Sequence, residues 1–147
     1  MNNAGVFPDA YPTNDLPEGV WDAAMDVNLK AHFLFSQAFA KYAQKNARIV
    51  NIASIGGLEI WKQRIPYNVS KGAAIHLTKV LAKDLAPNIS VNCVCPGTVD
   101  LPDSFGETKP KNIVSVNDIF QAVYFFATTT PYITGQILLV DSSYFFK

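Results

Sequence analysis

The sequence predicts an α/β fold in which helices cover both faces of a doubly wound parallel sheet. Helix-like and strand-like segments alternate along the chain, and the strand-like segments are short apolar runs. Strands separated by helices pair in parallel and receive helices on both faces. The 147 residues suit one domain, and the balance of 49% apolar against 16% charged residues excludes disorder.

The first elements are a long helix and a buried strand. Residues 20–45 carry apolar side chains at helical spacing. Before them, Asp15-Leu16-Pro17-Glu18 has the form of a capping box, with a proline tolerated in the first turn. Residues 49–53 form a β-branched run typical of a buried strand.

The same alternation continues to the end of the chain. Pro66 opens a second long helix that Pro87 closes, and Pro96-Gly97 stops the strand that follows. Residues 102–112 are polar and irregular, and Ser115-Val116-Asn117-Asp118 suits a helix start. The predicted elements are a helix at 66–86, a strand at 89–95, a helix at 119–127 and a strand at 136–140.

Dinucleotide-binding sheets begin with a strand, a G-x-G-x-x-G turn and a helix, and this sequence contains no such turn. Gly56-Gly57 follows a strand without a helix directly behind it, and the chain opens at Asn2-Asn3-Ala4-Gly5. We therefore expect residues 1–147 to be the C-terminal portion of a single domain whose sheet is incomplete at its N-terminus.

Composition also narrows the possible partners. A formal net charge of zero gives no electrostatic reason to expect nucleic acid or an anionic membrane. No apolar stretch reaches the length of a membrane span, and Cys93 and Cys95 lack zinc or redox spacing. We expect the two cysteines to be small buried thiols in a reducing, cytoplasmic compartment, and we expect no metal. Because so few residues are charged, we also expect apolar surface that a partner subunit covers.

Several polar groups follow the predicted strands, where parallel sheets bind ligands: Asn2 to Gly5, Ser54, and Pro96-Gly97-Thr98. Tyr67 and Lys71 are four residues apart, so they share one helix face. A nearby ammonium lowers the pKa of a phenol, which can then exchange a proton with a substrate oxygen. By itself the Y-x-x-x-K spacing is common, and a solvated pair is its simplest interpretation.

The ordered set is far more specific than the pair. It comprises Asn2-Asn3-Ala4-Gly5, Asn28 within a long helix, Ser54 after a strand, Tyr67, Lys71 and Pro96-Gly97. From Asn2 to about Asp141 the sequence resembles the short-chain dehydrogenase/reductase family. The resemblance implies a Rossmann-like fold, NAD or NADP as cofactor, hydride transfer between a small alcohol and a carbonyl compound, and a homodimer or homotetramer assembled through the two long helices.

The resemblance also implies roles for individual residues. Ser54 would bind the substrate oxygen and Tyr67 would transfer the proton. Lys71 would lower the pKa of Tyr67 and hold the nicotinamide ribose, and Asn28, at a helix kink, would position a water in a proton relay. The implied cofactor contacts are Asn3, Ala4, Gly5, Tyr67, Lys71, Pro96, Gly97 and Val99. The family pattern is broken at Leu101, where many members carry threonine, and after Asp141, where V-D-G-G is common.

Alternatives remain open at this point. His32 and His76 suit packing or an interface better than catalysis. Trp61, Ile60 and Phe105 either line a substrate pocket or pack in a core or interface. Two further alternatives are an interaction module that dimerises without binding cofactor and a fragment without function. Within the family, residues 85–92, the short loop after Val99 and residues 132–136 are similar to pteridine-reductase-like and 3-oxoacyl-carrier-protein-reductase-like members. Pteridine reductases usually carry aspartate where Ser54 stands, which favours a general carbonyl reductase. The sequence identifies neither the substrate nor the choice between NAD and NADP.

Overall fold

The computed structural model describes residues 1–101, 110 and 112–142. The predicted strands and the two later helices are present, with ends shifted by a few residues, whereas the first predicted helix is divided in two. The α-helices are α1 (Glu18–Met25), α2 (Ala31–Ala40), α3 (Ile65–Asp84) and α4 (Val116–Thr128). The strands are β1 (Ala47–Ile52), β2 (Ile89–Pro96), β3 (Thr98–Asp100), β4 (Ile113–Ser115) and β5 (Ile137–Val140).

The main sheet of the described residues is parallel and has the order β1-β2-β5. β1 pairs with β2 from Ala47 opposite Ile89 to Ile52 opposite Val94, and the pairing of β2 with β5 ends at Pro96 opposite Val140. On the outer side of β1, Asn2 forms a parallel bridge to Asn51. The strands therefore end at the same edge of the sheet, which confirms the predicted parallel pairing.

Helices cover both faces of this sheet, as predicted. α3 packs on one face, where it buries Ile49, Val91 and the two cysteines in two apolar clusters. α4 packs on the other face against Val50 and Val94. Neighbouring residues of β1 thus point to opposite helices, which explains why the strand is apolar without alternation.

The first predicted helix is interrupted and is shorter than expected. A π-helical turn, Asp26–Lys30, joins α1 to α2, and the helix ends at Ala40 instead of residue 45. The predicted capping box is wrong, because Asp15 lies in a separate 3-10 turn, Thr13–Asp15. Pro17 occupies the N-cap position and its side chain has no hydrogen-bond acceptor, so α1 begins without a side-chain cap.

The second half contains a small parallel ladder that the sequence did not predict. β3 pairs with β4 from Thr98 opposite Ile113 to Asp100 opposite Ser115. Most of the polar segment between them, residues 102–109 and 111, lies outside the described residues.

The predicted start of α4 is confirmed, since Ser115 and Asp118 form a capping box. β5 ends at Val140, and Ser142 turns the chain with a φ of 55°.

Candidate active site

A cavity of about 770 Å³ lies at the carboxyl ends of β1 and β2. Most of the sequence-predicted site residues line it, namely Asn3, Gly5, Ser54, Tyr67, Lys71, Pro96, Gly97 and Val99. Ala4 and Asn28 do not. The position agrees with the general rule that parallel sheets bind ligands beyond the carboxyl ends of their strands.

Ser54 follows β1 in an extended conformation and begins the 3-10 turn Ile55–Gly57. Its Oγ accepts a hydrogen bond of 3.1 Å from the Gly56 N–H. The side chain is almost completely buried and also interacts with the phenol of Tyr67. Local backbone geometry therefore holds the Ser54 hydroxyl beside the phenol.

Tyr67 lies in the first turn of α3, between two other aromatic side chains. The Trp61 indole stacks on its ring with centroids 5.8 Å apart and an interplanar angle of 9°. Phe7 meets the same ring edge-on, at 4.6 Å and 87°. A Cβ at Gly56 would lie 2.9 Å from both Trp61 and Tyr67, so this position has no room for a side chain. Trp61 thus packs against Tyr67 and does not line the cavity.

The pKa of Tyr67 is raised above its ordinary value, mainly because burial disfavours the phenolate, while the hydrogen bond with Ser54 opposes this shift. This differs from the lowering by Lys71 that the family resemblance implies. The Lys71 Nζ lies over the Tyr67 ring, 5.9 Å from its centroid, and donates to the Ile52 carbonyl at 3.3 Å. The ammonium therefore faces the ring and the end of β1, and burial dominates the pKa of the phenol.

Lys71 is 4% exposed, which is rare for a lysine. Burial lowers its pKa, because the charged ammonium loses water. A Cβ at Gly5 would lie 3.2 Å from the Lys71 Nζ and 3.4 Å from the Asn28 Oδ1. Gly5 therefore leaves the space in which the lysine and the asparagine approach each other.

Asn28 lies in the π-helical turn and is fully buried. Its Oδ1 accepts from the Val6 N–H at 2.7 Å, and its Nδ2 donates to the Val6 carbonyl and the Ser70 Oγ, both at 3.0 Å. The Ser70 Oγ in turn donates to the Tyr67 carbonyl at 3.1 Å. The π-turn corresponds to the implied helix kink. The Ser70 hydroxyl links the Asn28 side chain to the backbone of Tyr67.

Neither histidine lines the cavity. His32 is buried in α2, and its Nε2 lies 3.2 Å from the Ala4 carbonyl, which can only accept. Burial lowers the pKa of His32, and the charge of Lys71 adds to this effect. His76 is exposed on α3. His32 therefore lies inside the fold, where it holds the backbone of Ala4.

The two cysteines are fully buried free thiols with their sulfur atoms 3.8 Å apart. Among the described residues, no group of three or more histidine, cysteine, aspartate or glutamate side chains is placed to hold a metal ion. Within the same residues, no helix combines the length and apolar character needed to cross a lipid bilayer.

Several residues of the cavity wall were missed by the sequence reasoning. Val6 and Phe7 line it after the Asn2 to Gly5 turn, and Val116, Ile119, Phe120 and Val123 of α4 form another wall. The signal was present, because α4 is apolar on more than its sheet-facing stripe.

Two of the pocket candidates proposed from the sequence are not part of the described lining. Ile60 is 85% exposed and outside the lining, and Phe105 lies outside the described residues.

Comparison with known proteins gives consistent matches. The family described as Enoyl-(Acyl carrier protein) reductase matches residues 1–144. The 3-oxoacyl-[acyl-carrier-protein] reductase FabG of Thermotoga maritima is 35% identical over 96% of this chain and 63% of its own length. One similar structure is a blue fluorescent protein from a metagenomic library in complex with NADPH, with a TM-score of 0.87 and 29% identity over 96% of this chain and 62% of that chain. Another is 4-hydroxyisoleucine dehydrogenase complexed with NADH, with a TM-score of 0.82 and 30% identity over 96% of this chain and 66% of that chain. The chain thus spans less than two thirds of these relatives.

Proposed function

Because the chain belongs to the short-chain dehydrogenase/reductase family, we propose that the complete protein is an NAD- or NADP-dependent oxidoreductase that interconverts an alcohol and a carbonyl compound. The observation that carries this proposal is the placement of Ser54, Tyr67 and Lys71 around one cavity at the carboxyl ends of parallel strands. Residues 1–147 would form the C-terminal portion of its single Rossmann-like domain.

The residues around the cavity fit a nicotinamide cofactor. The cavity has the volume for a nicotinamide ring beside a small substrate, and Gly5 keeps its floor open next to Lys71. Lys71 would hold the ribose, the backbone of Val99 would hold the carboxamide, and Asn3, Ala4, Gly5, Pro96 and Gly97 would complete the contacts. When bound, the cofactor donates or accepts the hydride. Because the similar structures hold NADPH in one case and NADH in the other, both cofactors remain candidates.

Tyr67 would donate its phenol proton to the carbonyl oxygen during reduction and recover it during oxidation. Ser54 would donate a hydrogen bond to the same oxygen. A phenol whose pKa is 10.0 or higher holds its proton at neutral pH, which is the form that donates to a carbonyl oxygen. Asn28 would act beside the Lys71 ammonium, where the family resemblance implies a proton relay.

The test is the Tyr67→Phe variant of the complete protein, with the exposed Tyr132→Phe as the matched control. Loss of the acid-base group should lower turnover by at least about a hundredfold. Binding of NADH and NADPH, measured by cofactor fluorescence, should remain, because the phenyl ring keeps its packing. Turnover in Tyr67→Phe equal to that of the control would contradict the mechanism.

Titration of both cofactors into the 147-residue chain tests the alternative that this part is an interaction module. Micromolar binding would reject the module for this chain. Absence of binding, together with an intact fold by circular dichroism, would support it.

We also propose that the protein is a homodimer or homotetramer through its long helices. α2 exposes four large apolar side chains, namely Phe33, Leu34, Phe35 and Phe39, of which Phe35 and Phe39 share one helix face. Exposed apolar side chains on a helix commonly mark a subunit interface. Light scattering of the complete protein should give a multiple of the chain mass, and Phe35→Glu should yield monomers.

The two buried free thiols support a reducing, cytoplasmic location.

A further inference from the structure

The Tyr67 ring is supported by residues that precede its own helix. Tyr67 is the third residue of α3, so its side chain lies over the start of that helix. A helical side chain normally packs over the turn that precedes its own Cα. The orientation of the phenol therefore depends on contacts from other segments, and the Trp61 indole supplies a flat one, with the two ring planes 9° apart.

The backbone of Trp61 is bonded to the start of the same helix. Its carbonyl accepts hydrogen bonds from the Arg64 N–H at 3.2 Å and from the Asn68 Nδ2 at 2.9 Å. Asn68 directly follows Tyr67. These bonds therefore fix the backbone that carries the indole to the helix turn that carries the phenol.

The Trp61 indole is held a second time by Glu59. The indole Nε1 donates to the Glu59 Oε2 at 2.7 Å, a length typical of a charge-assisted hydrogen bond. The Glu59 N–H donates to the Ile55 carbonyl at 2.8 Å, and Ile55 directly follows Ser54. Glu59 thus joins the indole to the turn that begins at Ser54.

The same turn also contacts both rings. A Cβ at Gly56 would lie 2.9 Å from Trp61 and 2.9 Å from Tyr67, and the Gly56 N–H donates to the Ser54 Oγ. The turn, the indole and the phenol therefore pack as one unit that holds the Ser54 and Tyr67 hydroxyls. Trp61 and Glu59 themselves lie outside the described cavity lining.

We propose, on the basis of the proposed function, that Glu59 and Trp61 are a positioning pair that keeps the Tyr67 phenol in hydrogen-bonding contact with the Ser54 hydroxyl. The indole is the surface against which the ring lies, and the Glu59 carboxylate fixes the rotation of the indole. Both residues act through Tyr67. Loss of the pair separates the phenol from Ser54 and slows proton transfer, and it leaves the cofactor contacts in place.

The first test is spectroscopic and needs no substrate. In the complete protein, Ser54→Ala should raise the pKa of Tyr67, and the size of this change measures the bond between the two side chains. In a Trp61→Leu background, Ser54→Ala should change the pKa of Tyr67 much less, because the phenol no longer faces Ser54. Tyrosinate absorbance, taken as each variant minus its Tyr67→Phe counterpart, gives the four pKa values.

The second test is kinetic and uses 2,3-butanedione as a small, uncharged probe ketone. Trp61→Leu should lower kcat by about tenfold or more and leave the KM for NADH or NADPH nearly unchanged, because Trp61 lies outside the described lining. Trp61→Phe keeps a flat ring and should recover most of kcat. Trp21→Leu replaces the other tryptophan of this chain, a half-buried residue of α1, and should behave like the wild type.

Two substitutions at Glu59 separate its hydrogen bond from its charge. Glu59→Gln keeps an oxygen that accepts from the indole N–H, so it should keep kcat near the wild-type value. Glu59→Ala removes the acceptor and should lower kcat, as Trp61→Leu does. An equal loss of kcat in both Glu59 variants would assign the effect to the charge and would overturn the positioning pair.

The inference would also be overturned if Ser54→Ala had the same effect on the pKa of Tyr67 in both backgrounds, or no effect in either. A Trp61→Leu variant that lost unfolding free energy in urea but kept kcat would show a purely structural role, with the same consequence. All of these results leave the proposed oxidoreductase function standing. If the wild type does not reduce 2,3-butanedione, the spectroscopic comparison alone decides this inference, and Tyr67→Phe decides the proposed function.

Discussion

Gly57 packs directly against the backbone of Lys71. A Cβ at residue 57 would lie 2.6 Å from the Lys71 carbonyl carbon and 2.7 Å from the nitrogen of Gly72. Backbone atoms inside a helix cannot move aside as the end of a flexible side chain can. Because Ser54 begins the turn that ends at Gly57, this contact sets the distance between the Ser54 hydroxyl and the helix that carries Tyr67.

We predict that Gly57→Ala pushes the turn away from α3. The free energy of unfolding should fall by about 1–3 kcal/mol, as for other overpacked sites. Displacement of Ser54 by even a fraction of an ångström should lower kcat by at least about tenfold. Urea denaturation and steady-state kinetics measure the two effects.

Gly19→Ala is the matched control for this change. A Cβ at Gly19 would meet nothing within 4 Å, and the residue lies inside α1. Alanine should stabilise the helix by up to about 1 kcal/mol and leave activity intact. If Gly57→Ala behaved in the same way, the close contact would have no role in positioning Ser54.

The second prediction concerns the buried amide of Asn28. Asn28→Ala leaves the Val6 N–H, the Val6 carbonyl and the Ser70 hydroxyl without this partner. Unsatisfied buried groups cost about 1–3 kcal/mol each, so unfolding should become easier by at least about 2 kcal/mol. Asn117→Ala, at an exposed position of α4, should change stability by less than about 0.5 kcal/mol. Equal stability of the two variants in urea denaturation would show that the Asn28 bonds contribute nothing.

The elements that the sequence predicted well are those with a strong local pattern. The long periodic run of α3 and the apolar runs of β1 and β2 were located within a few residues. The capping box failed because Pro17, not Asp15, occupies the N-cap position of α1. The β3 and β4 strands have three residues each, too few for any periodicity, and their pairing depends on contacts between distant segments.

The candidate site was predictable where one helix face or one strand end decided the placement. The spacing of Tyr67 and Lys71 and the position of Ser54 after β1 are of this kind. The contact of Gly57 with α3 depends on two glycines that are fifteen residues apart, which no local pattern reveals. The raised pKa of Tyr67 depends on burial that Trp61 and Phe7 create, and the sequence alone does not report burial.

The third prediction is a loss of stability in mild acid caused by His32. Burial, and secondarily the Lys71 charge, lower its pKa below the ordinary 6.5 in the folded protein. A lowered folded pKa means that the unfolded chain binds the proton more readily, so stability is present above pH 6.5 and lost as the pH falls through the folded pKa. One proton contributes at most about 1.4 kcal/mol per pH unit.

Urea denaturation between neutral pH and about pH 5 measures this slope. His32→Gln should flatten it, because the amide does not titrate and still donates to the Ala4 carbonyl. His76→Gln, at an exposed position of the same fold, controls for the loss of an imidazole and should keep the wild-type slope. A slope that His32→Gln leaves unchanged would assign the acid sensitivity to other groups.

The last prediction concerns the titration of Tyr67 itself. Burial raises its pKa above the ordinary 10.0 and the Ser54 hydrogen bond opposes this shift, so two substitutions should move it in opposite directions. Ser54→Ala removes the bond to the phenolate and should raise the pKa further, whereas Trp61→Ala admits water to the ring and should lower it toward 10.0. The ultraviolet absorbance of tyrosinate, taken as wild type minus Tyr67→Phe, isolates this one residue during a pH titration.

The sign of the accompanying stability change follows from the same shift. A raised folded pKa gives stability that is fully present below pH 10.0 and lost as the pH rises through the folded value, because only the unfolded chain releases the proton easily. Wild type should therefore lose more unfolding free energy in strong base than Tyr67→Phe does. A Tyr67 that titrates below 10.0 in the folded chain would instead mean that the Lys71 ammonium outweighs burial, as the family resemblance implies.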